Sequence, residues 1–524
     1  MTTRYRTATA AMMLAVPIVA GGFLLQEPPA RASSLLLDQV MSLVQRQYVD
    51  SIPANAAYEK AARGLVEELK DPYSELLSPR QSEAFNRSTG GRYGGTGMAI
   101  VEQSPGVIVV DRVFPNTPAE EAGVREGDRV VAVDSTSTAS LDVNKVSDLL
   151  RGAPGSKVAV TYTRPGVTEP IKLRFTRRVV RIPAVAFTGM YGDHIGYIPV
   201  QTFNENAADE VANAVEHLVK QGAKGLVLDM RDNGGGIVEQ ALEMSSLFLR
   251  DGQEIVSVRS RNQPTETVRS QGRHLALTVP LVVMLDGGSA SATEIVAGAL
   301  QDHDRALVLG TTSFGKGLVQ SVYTLNGGYQ LKLTTGKWYT PSGRSIHRER
   351  KLLPNGSFVA VNPDSLKGDA ARPAYKSDAG RIVYGGGGIR PDVLVPDDTL
   401  SSGERDFLRA SAPQGQAMNT VIQDYALELK GTVAPGFTDP ATWGTTLMSR
   451  LAAAHVTLDP KYEAVARTFL VRDLANRVAR LSFGDAAAKG RTIADDHQLA
   501  RAIELLEKSS TQAQLLASSV PARK

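Results

Sequence analysis

Apolar positions recur along this chain at two different periods, and the switch between them marks its segments. From Leu35 to about Phe85 the spacing is helical: Leu36, Val40, Leu43, Val44 and Tyr48 share one face, then Ala61, Ala62, Leu65, Val66 and Leu69 another. Asp71-Pro72-Tyr73-Ser74 stops the second helix. Residues 87–178 carry short β-rich runs between glycine and proline turns, namely 97–101, 107–110, 129–133 and 158–162, with one helix over 143–151. They predict a small, mainly β module. From about Val180 to Val395 the spacing alternates between apolar strands (195–198, 225–229, 281–285, 305–309) and helices (207–221, 242–248, 293–300). That alternation predicts an α/β layer with right-handed crossovers. Residues 348–380 are polar and read as a surface insertion. After Asp398 the pattern is helical again. Its apolar face (Leu451, Val465, Phe469, Leu470, Leu474) fits self-association, partner docking or packing onto the α/β layer equally well.

A length of 524 residues agrees with several domains. Lys and Arg number 58 against 55 Asp and Glu, so a net charge of +3 makes no case for nucleic acid or an anionic membrane as partner. There is no cysteine, which removes disulfides, thiolate nucleophiles and cysteine metal sites together. Residues 1–32 read as an export signal. Arg4 and Arg6 precede an uncharged apolar run over 10–25, and Ala30-Arg31-Ala32 offers a cleavage motif. An uncleaved anchor is the alternative, although the run is shorter than the roughly 20 residues a bilayer core asks for. Either way the expected location is exported, periplasmic or envelope-associated.

Two loops carry candidate chemistry. Asp286-Gly-Gly-Ser-Ala-Ser291-Ala-Thr-Glu294 joins an apolar strand to a helix, and the helix start offers unpaired N–H groups and a positive dipole end. Ser291 is there either a nucleophile or half of a capping box with Glu294. Gly310-Thr-Thr-Ser-Phe-Gly315-Lys316-Gly317 follows the next strand. If the two strands are parallel neighbours, Ser291 and Lys316 end on the same sheet edge, where α/β folds bind ligands. Lys316 would need a desolvated setting to act as a general base. The same segment resembles the start of a phosphate-binding loop, but Gly317 replaces the Ser or Thr such a loop needs, and a strand-like run follows. A third glycine-rich turn, Asp229 to Gly236, is either an ordinary turn or a source of oxyanion-binding amides, with Asp229 and Arg231 as a structural pair. The seven histidines form no H-E-x-x-H, and no G-x-S-x-G surrounds Ser289 or Ser291.

These motifs, with Tyr93-Gly-Gly-Thr-Gly97, Pro118 to Asp128, Lys332-Leu-Thr-Thr, Tyr339 to Ile346 and Gly385 to Asp392, resemble the carboxy-terminal processing (tail-specific) peptidases, the S41 serine peptidase family, over about residues 36–398. The resemblance implies an α/β multidomain fold. Its parts are an N-terminal helical segment (33–86), an inserted PDZ domain (87–178), a ClpP/crotonase-like peptidase core (179–398) and a C-terminal helical extension (399–524) outside the match. It implies Ser291 as nucleophile, Lys316 as general base and Gln320 as the residue orienting the lysine. Ala292 N–H with an amide of Gly235 or Gly236 would form the oxyanion hole. No cofactor or metal is implied. Thr293 and Gly234 depart from the family's common Ser and Pro. The implied partner is a protein or peptide with a free C-terminus, added as a strand in the PDZ groove. Gly95, Gly97, Met98, Ile100, Val146, Leu150 and Arg151 are the expected contacts there. Arg151 is either a link from groove to active site or a charge at a helix end. An activator or adaptor protein and a homo-oligomer are left open.

Overall fold

The computed structural model describes residues 29–518, apart from 105, 165–166, 262, 276, 354–357 and 361–371. The basic and apolar stretch at positions 4–25, read as an export signal, lies outside the described residues. No described helix is long and apolar enough to cross a membrane.

The chain divides into two compact units. The smaller comprises residues up to Pro79 together with Gln320–Thr334. Its helices α1 (Pro29–Gln47) and α2 (Ala54–Glu67) match the helical spacing. The Asp71 turn behaves as expected, with Asp71 accepting the Tyr73 N–H at 3.1 Å and the Ser74 hydroxyl at 2.6 Å. A short strand that the pattern did not predict, β1 (Glu75–Leu77), follows it and pairs antiparallel with residues 330–332.

The larger unit holds three packed regions. The first is a mainly β module closed at its base by β2 (Arg92–Gly95), which pairs with a strand at residues 178–181. Its sheet runs β3 (Met98–Ser104), β4 (Val107–Val113), β5 (Arg129–Val133), β6 (Lys157–Thr163) and β7 (Ile171–Thr176), all antiparallel. Helix α3 (Val143–Leu150) starts at Asp142, whose side chain accepts the Lys145 N–H at 2.9 Å. It buries Val146 and Leu150 against Ile108, Val130 and Tyr162.

The second region is the α/β core. The strand at 178–181 is β8, and the core sheet follows in the order β9 (Gly189–Tyr191), β10 (Ile195–Pro199), β11 (Gly225–Asp229), β13 (Leu281–Leu285), β14 (Leu307–Gly310) and a last short strand at residues 393–394. Only β9 is antiparallel. The intervening β12 (Glu254–Ser260) pairs instead with residues 336–339. Successive side chains along a strand point to opposite faces, and here both faces are apolar. Leu226, Leu228, Val283, Leu285 and Val308 face α4 (Ala207–Lys220), α5 (Val238–Phe248) and α6 (Ala292–Asp302). Ile195, Val227, Val282, Met284, Leu307 and Leu309 face the other way.

The third region is the C-terminal extension, and it does two things. Helices α7 (Ser402–Ser411), α8 (Gly415–Leu429), α9 (Ala441–Ala453) and α10 (Glu463–Phe483) share their own core around Phe407, Trp443, Leu447, Leu451, Leu470 and Leu474, with Val465 and Phe469 packed on it. This bundle meets the β module through ion pairs, Arg129 with Asp424 at 3.3 Å and Arg480 with Asp111 and Glu126 at 3.8 Å. After α11 (Asp485–Thr492), helices α12 (His497–Glu507) and α13 (Gln512–Ala517) cover the second face of the core sheet with Leu499, Ala502, Leu505, Leu506 and Leu515. Each fully buried leucine there contributes about 1.5–3 kcal/mol relative to exposure. Packing onto the α/β layer is therefore the use made of the last two helices.

Candidate active site

Strand β13 ends at Leu285 and the chain turns through Asp286–Ala290 into α6. Asp286 organises the turn, its Oδ1 accepting the N–H groups of Gly288 and Ser289 at 3.0 Å and of Asp232 at 2.9 Å. Ser289 is fully buried; its Oγ accepts the Asp286 N–H and lies 2.8 Å from the Met230 carbonyl. It is spent on structure. Ser291, half-buried, is the other hydroxyl of the loop. Its backbone is held at φ 58°, ψ −113°, a region that costs a non-glycine residue about 1–3 kcal/mol. Ser291 and Glu294 are placed as a capping box at the start of α6. The reciprocal bond, from Ser291 N–H to Glu294 Oε2, is 2.8 Å.

Glu294 does more than cap. It is fully buried, and the same Oε2 that holds Ser291 N–H also accepts the Lys316 N–H at 2.9 Å. Its Oε1 accepts Gly315 N–H at 2.7 Å and the Ser313 hydroxyl at 2.6 Å. One carboxylate therefore clamps the two loops together, with the amides of Ser291 and Lys316 on a single oxygen. Burial pushes this carboxyl above its ordinary value, against the pull of the Ser313 hydroxyl and the three amides. Each of these four partners donates to the carboxyl oxygens. Lys316 is pinned from the other side by the buried Trp338, whose indole N–H donates to the Lys316 carbonyl at 3.0 Å.

Both loops meet because β13 and β14 are parallel neighbours, with Leu285 paired to Gly310. The phosphate-loop alternative fails on the same geometry, since strand β15 (Leu318–Thr324), not a helix, follows Gly317. The partner strand after it is β16 (Gln330–Tyr339).

The third loop is stitched onto the first. Asn233 C=O accepts Ala290 N–H at 3.0 Å and the Thr293 hydroxyl at 2.8 Å, so Thr293 retains a hydroxyl's role. Gly235, at φ 95°, lies against the Ser291 turn. A Cβ built on it would stand 2.6 Å from Ala290 O, 2.9 Å from Ala292 N and 3.0 Å from Ser291 Cβ. Its N–H donates to Asn233 Oδ1 at 2.9 Å. The bridge between Phe203 and Gly236 uses Gly235 C=O and Ile237 N–H, leaving Gly236 N–H out of it. The turn thus brings Gly235 beside Ala292, with the Gly235 amide already engaged, while Gly236 packs on Phe203. Replacing Gly235 with Ala should lower cleavage at least tenfold, because the added methyl would push the turn off Ser291 by tenths of an ångström to an ångström. Kinetics on a variant with wild-type circular dichroism checks this; unchanged kcat would refute the close contact.

Arg231 leads into this turn. Its guanidinium pairs with Asp229 (2.7 and 2.9 Å) and with Asp496 of the extension (2.8 and 3.0 Å). Burial alone would lower its pKa, but hydrogen bonds to Asp229 and Asp496 hold it above the ordinary arginine value. Tyr197 OH donates to Asp229 at 2.8 Å. Asp229 and Arg231 form the expected structural pair. The partner from the extension was not foreseen, since nothing in the spacing links positions 231 and 496.

Gln320 lies on β15, in the smaller unit, with its Nε2 3.5 Å from Thr334 Oγ1. In the β module a groove of about 350 Å³ lies between β3 and α3. Met98, Ile100, Leu150 and Arg151 line it as expected, together with Val143 and Ser147. Val146 is a correction. It has no exposed surface and belongs to the module's core, because Val146 faces inward while Val143 and Ser147 face the groove. Gly95 is paired in β2, and Gly97, at φ 92°, packs on Thr117. The Arg151 guanidinium lies 5.7 Å from the centre of the Tyr93 ring.

With this geometry in view, the sequence matches the profile of peptidase family S41 over residues 194–358 and that of a PDZ domain over 109–164. It is 34% identical over 313 residues to the carboxy-terminal processing protease CtpA of Bacillus subtilis, covering 60% of this chain and 66% of that protein. It is 36% identical over 313 residues to a carboxy-terminal-processing protease of Bartonella bacilliformis, covering 59% of this chain and 71% of that one. Among solved structures it is similar to a photosystem II D1 C-terminal processing protease, with 32% identity, a TM-score of 0.35, and coverage of 63% and 88%.

Proposed function

Because the chain belongs to peptidase family S41, among the carboxy-terminal processing proteases, we propose that it hydrolyses peptide bonds near the C-terminal tails of exported proteins, with Ser291 as nucleophile and Lys316 as general base. The observation that supports this best is the single buried carboxylate oxygen of Glu294 holding the amides of both residues. Neutral Lys316 Nζ takes the Ser291 hydroxyl proton as Oγ attacks the scissile carbonyl carbon. The carbonyl oxygen becomes an oxyanion and is met by Ala292 N–H at the helix start and by an amide of the glycine turn. The resulting ammonium returns its proton to the leaving amine, and an acyl ester remains on Ser291. Lys316 then takes a proton from a water as that water attacks the ester, and returns it to Ser291 Oγ as the acyl–oxygen bond breaks, which releases the acid and restores both the serine and the neutral lysine. Gln320 would orient the lysine. A tail-bearing ester substrate, quenched in acid, should leave its acyl group on the peptide containing Ser291; an adduct on another residue would overturn the assignment.

The groove between β3 and α3 is where the tail would add as a strand, its carboxylate on backbone amides near Tyr93–Gly97. Amidating the substrate's C-terminus removes a charged hydrogen-bonding group, and kcat/KM should fall about 10–100-fold. Equal cleavage of the free and amidated forms would sink the tail-recognition role while leaving the dyad untouched.

A further inference from the structure

We propose that Asp496, supplied by the C-terminal extension, is a positioning residue for the oxyanion turn, acting through Arg231. The inference rests on the reading of Ser291 and the glycine turn given above.

Arg231 stands between Met230, whose carbonyl lies 2.8 Å from the Ser289 hydroxyl, and the turn Asp232–Gly236. The side of the turn near Ser291 is fixed by backbone bonds from Asn233 and by the packing of Gly235. The far side is held by Asp232 N–H on Asp286 at 2.9 Å, by the Asn233 amide on the Val200 carbonyl at 2.7 Å, by the bridge to Phe203, and, where the turn leaves β11, by the Arg231 guanidinium, the charged anchor among them. A fork of five N–H groups holds its position when it is matched on more than one edge. Asp229 occupies the edge formed by Nε and Nη2, and Asp496 the edge formed by Nη1 and Nη2. Gln498 Oε1 lies 3.2 Å from Nη1 and also belongs to the extension. Asp229 alone would leave the guanidinium free to swing about one edge. Asp496 is itself held, because Lys489 donates to its Oδ2 at 2.6 Å and Leu499 N–H to its Oδ1 at 2.9 Å. Burial opposes its charge, but Arg231 and Lys489 keep the carboxyl well below the ordinary aspartate value.

Asp496 is also the N-cap of α12. A loss of activity on mutation could therefore report a damaged helix. Asparagine separates the two roles, since it caps as well as aspartate but carries no charge. The network borders an open cavity of about 810 Å³, so water can solvate Arg231 when the charge is removed. Asp496→Asn should fold normally.

The experiment uses the full chain. Asp496→Asn should keep the wild-type Tm within a few degrees and keep KM and tail-peptide affinity, while kcat and the acylation burst fall about tenfold. Asp496→Ala should lose Tm as well, through the cap, with no further loss of kcat. Arg231→Lys, which cannot span both carboxylates, should lower kcat similarly, and the pair Arg231→Lys with Asp496→Asn should be no worse than either alone. A kcat for Asp496→Asn within twofold of wild type, a loss that tracks Tm and KM, or full additivity with Arg231→Lys would overturn the inference. Ser291→Ala, run in parallel, separates the cases: if it still cleaves, the catalytic reading has failed, and if it is dead, the result for Asp496→Asn stands on its own.

Discussion

Replacing Ser291 with Ala is expected to lower kcat by about three orders of magnitude or more, leaving only what binding and the oxyanion donors supply. Lys316→Ala should do the same, and the double variant should be no worse than either, because nucleophile and base act as one unit. Lys316→Arg is the sharper test. Arginine keeps the positive charge and much of the length but cannot give up a proton in a protein. If the lysine serves as a base, the arginine variant is as inactive as the alanine one. If it served only to attract negative charge, the arginine variant would cleave. Cleavage of an unstructured protein with an apolar C-terminus, followed by gel and mass spectrometry, reads all four. Substantial activity in Lys316→Arg would remove the base from the mechanism.

The second large effect belongs to Glu294. Substitution by Gln keeps the volume but turns one acceptor oxygen into a donor. Whichever way the amide faces, it meets either the pair Ser291 N–H and Lys316 N–H or the pair Gly315 N–H and Ser313 hydroxyl. The amide pair then has no acceptor, whereas a hydroxyl can rotate. The cost is about 1–3 kcal/mol for each buried donor left unpaired. The two loops, no longer clamped, should drift enough to lower kcat about a hundredfold or more. Stability alone does not explain such a loss if the variant is assayed well below its own Tm. The pH dependence has a definite sign. Burial raises this carboxyl in the folded chain, so its protonation favours the fold, and its contribution to stability grows as pH falls through the shifted range. Activity needs the ionised clamp and should fall over the same range. Parallel loss of both as pH drops would count against Glu294 as the group responsible.

The approach of the Ser291 and Lys316 loops could be read from the sequence because each follows an apolar strand, and two such strands joined by one helix are placed side by side by the handedness of the crossover. The observed pairing of Leu285 with Gly310 bears out that step. Glu294 was visible only as half of a cap. Its bonds to Ser313, Gly315 and Lys316 join loops about twenty positions apart, and local spacing carries no record of them. Val146 was misplaced for a related reason. A short helix lying between a core and a groove has apolar residues on both sides, and helical periodicity does not say which side is which. The apolar face at Leu451, Val465, Phe469, Leu470 and Leu474 was legible and packs within the bundle's own core, whereas the helices that cover strands some 200 positions earlier were not singled out.

That covering has a consequence for the order of events in the life of the molecule. Ser291 and Lys316 are synthesised well before α12 and α13, and domains tend to fold as they emerge. Here the core sheet has one apolar face bare until residues 497–517 arrive. A nascent chain would hold Ser291 and Lys316 without a finished scaffold beneath them. On the function proposed above, cleavage should therefore wait until the last two helices have docked on the sheet.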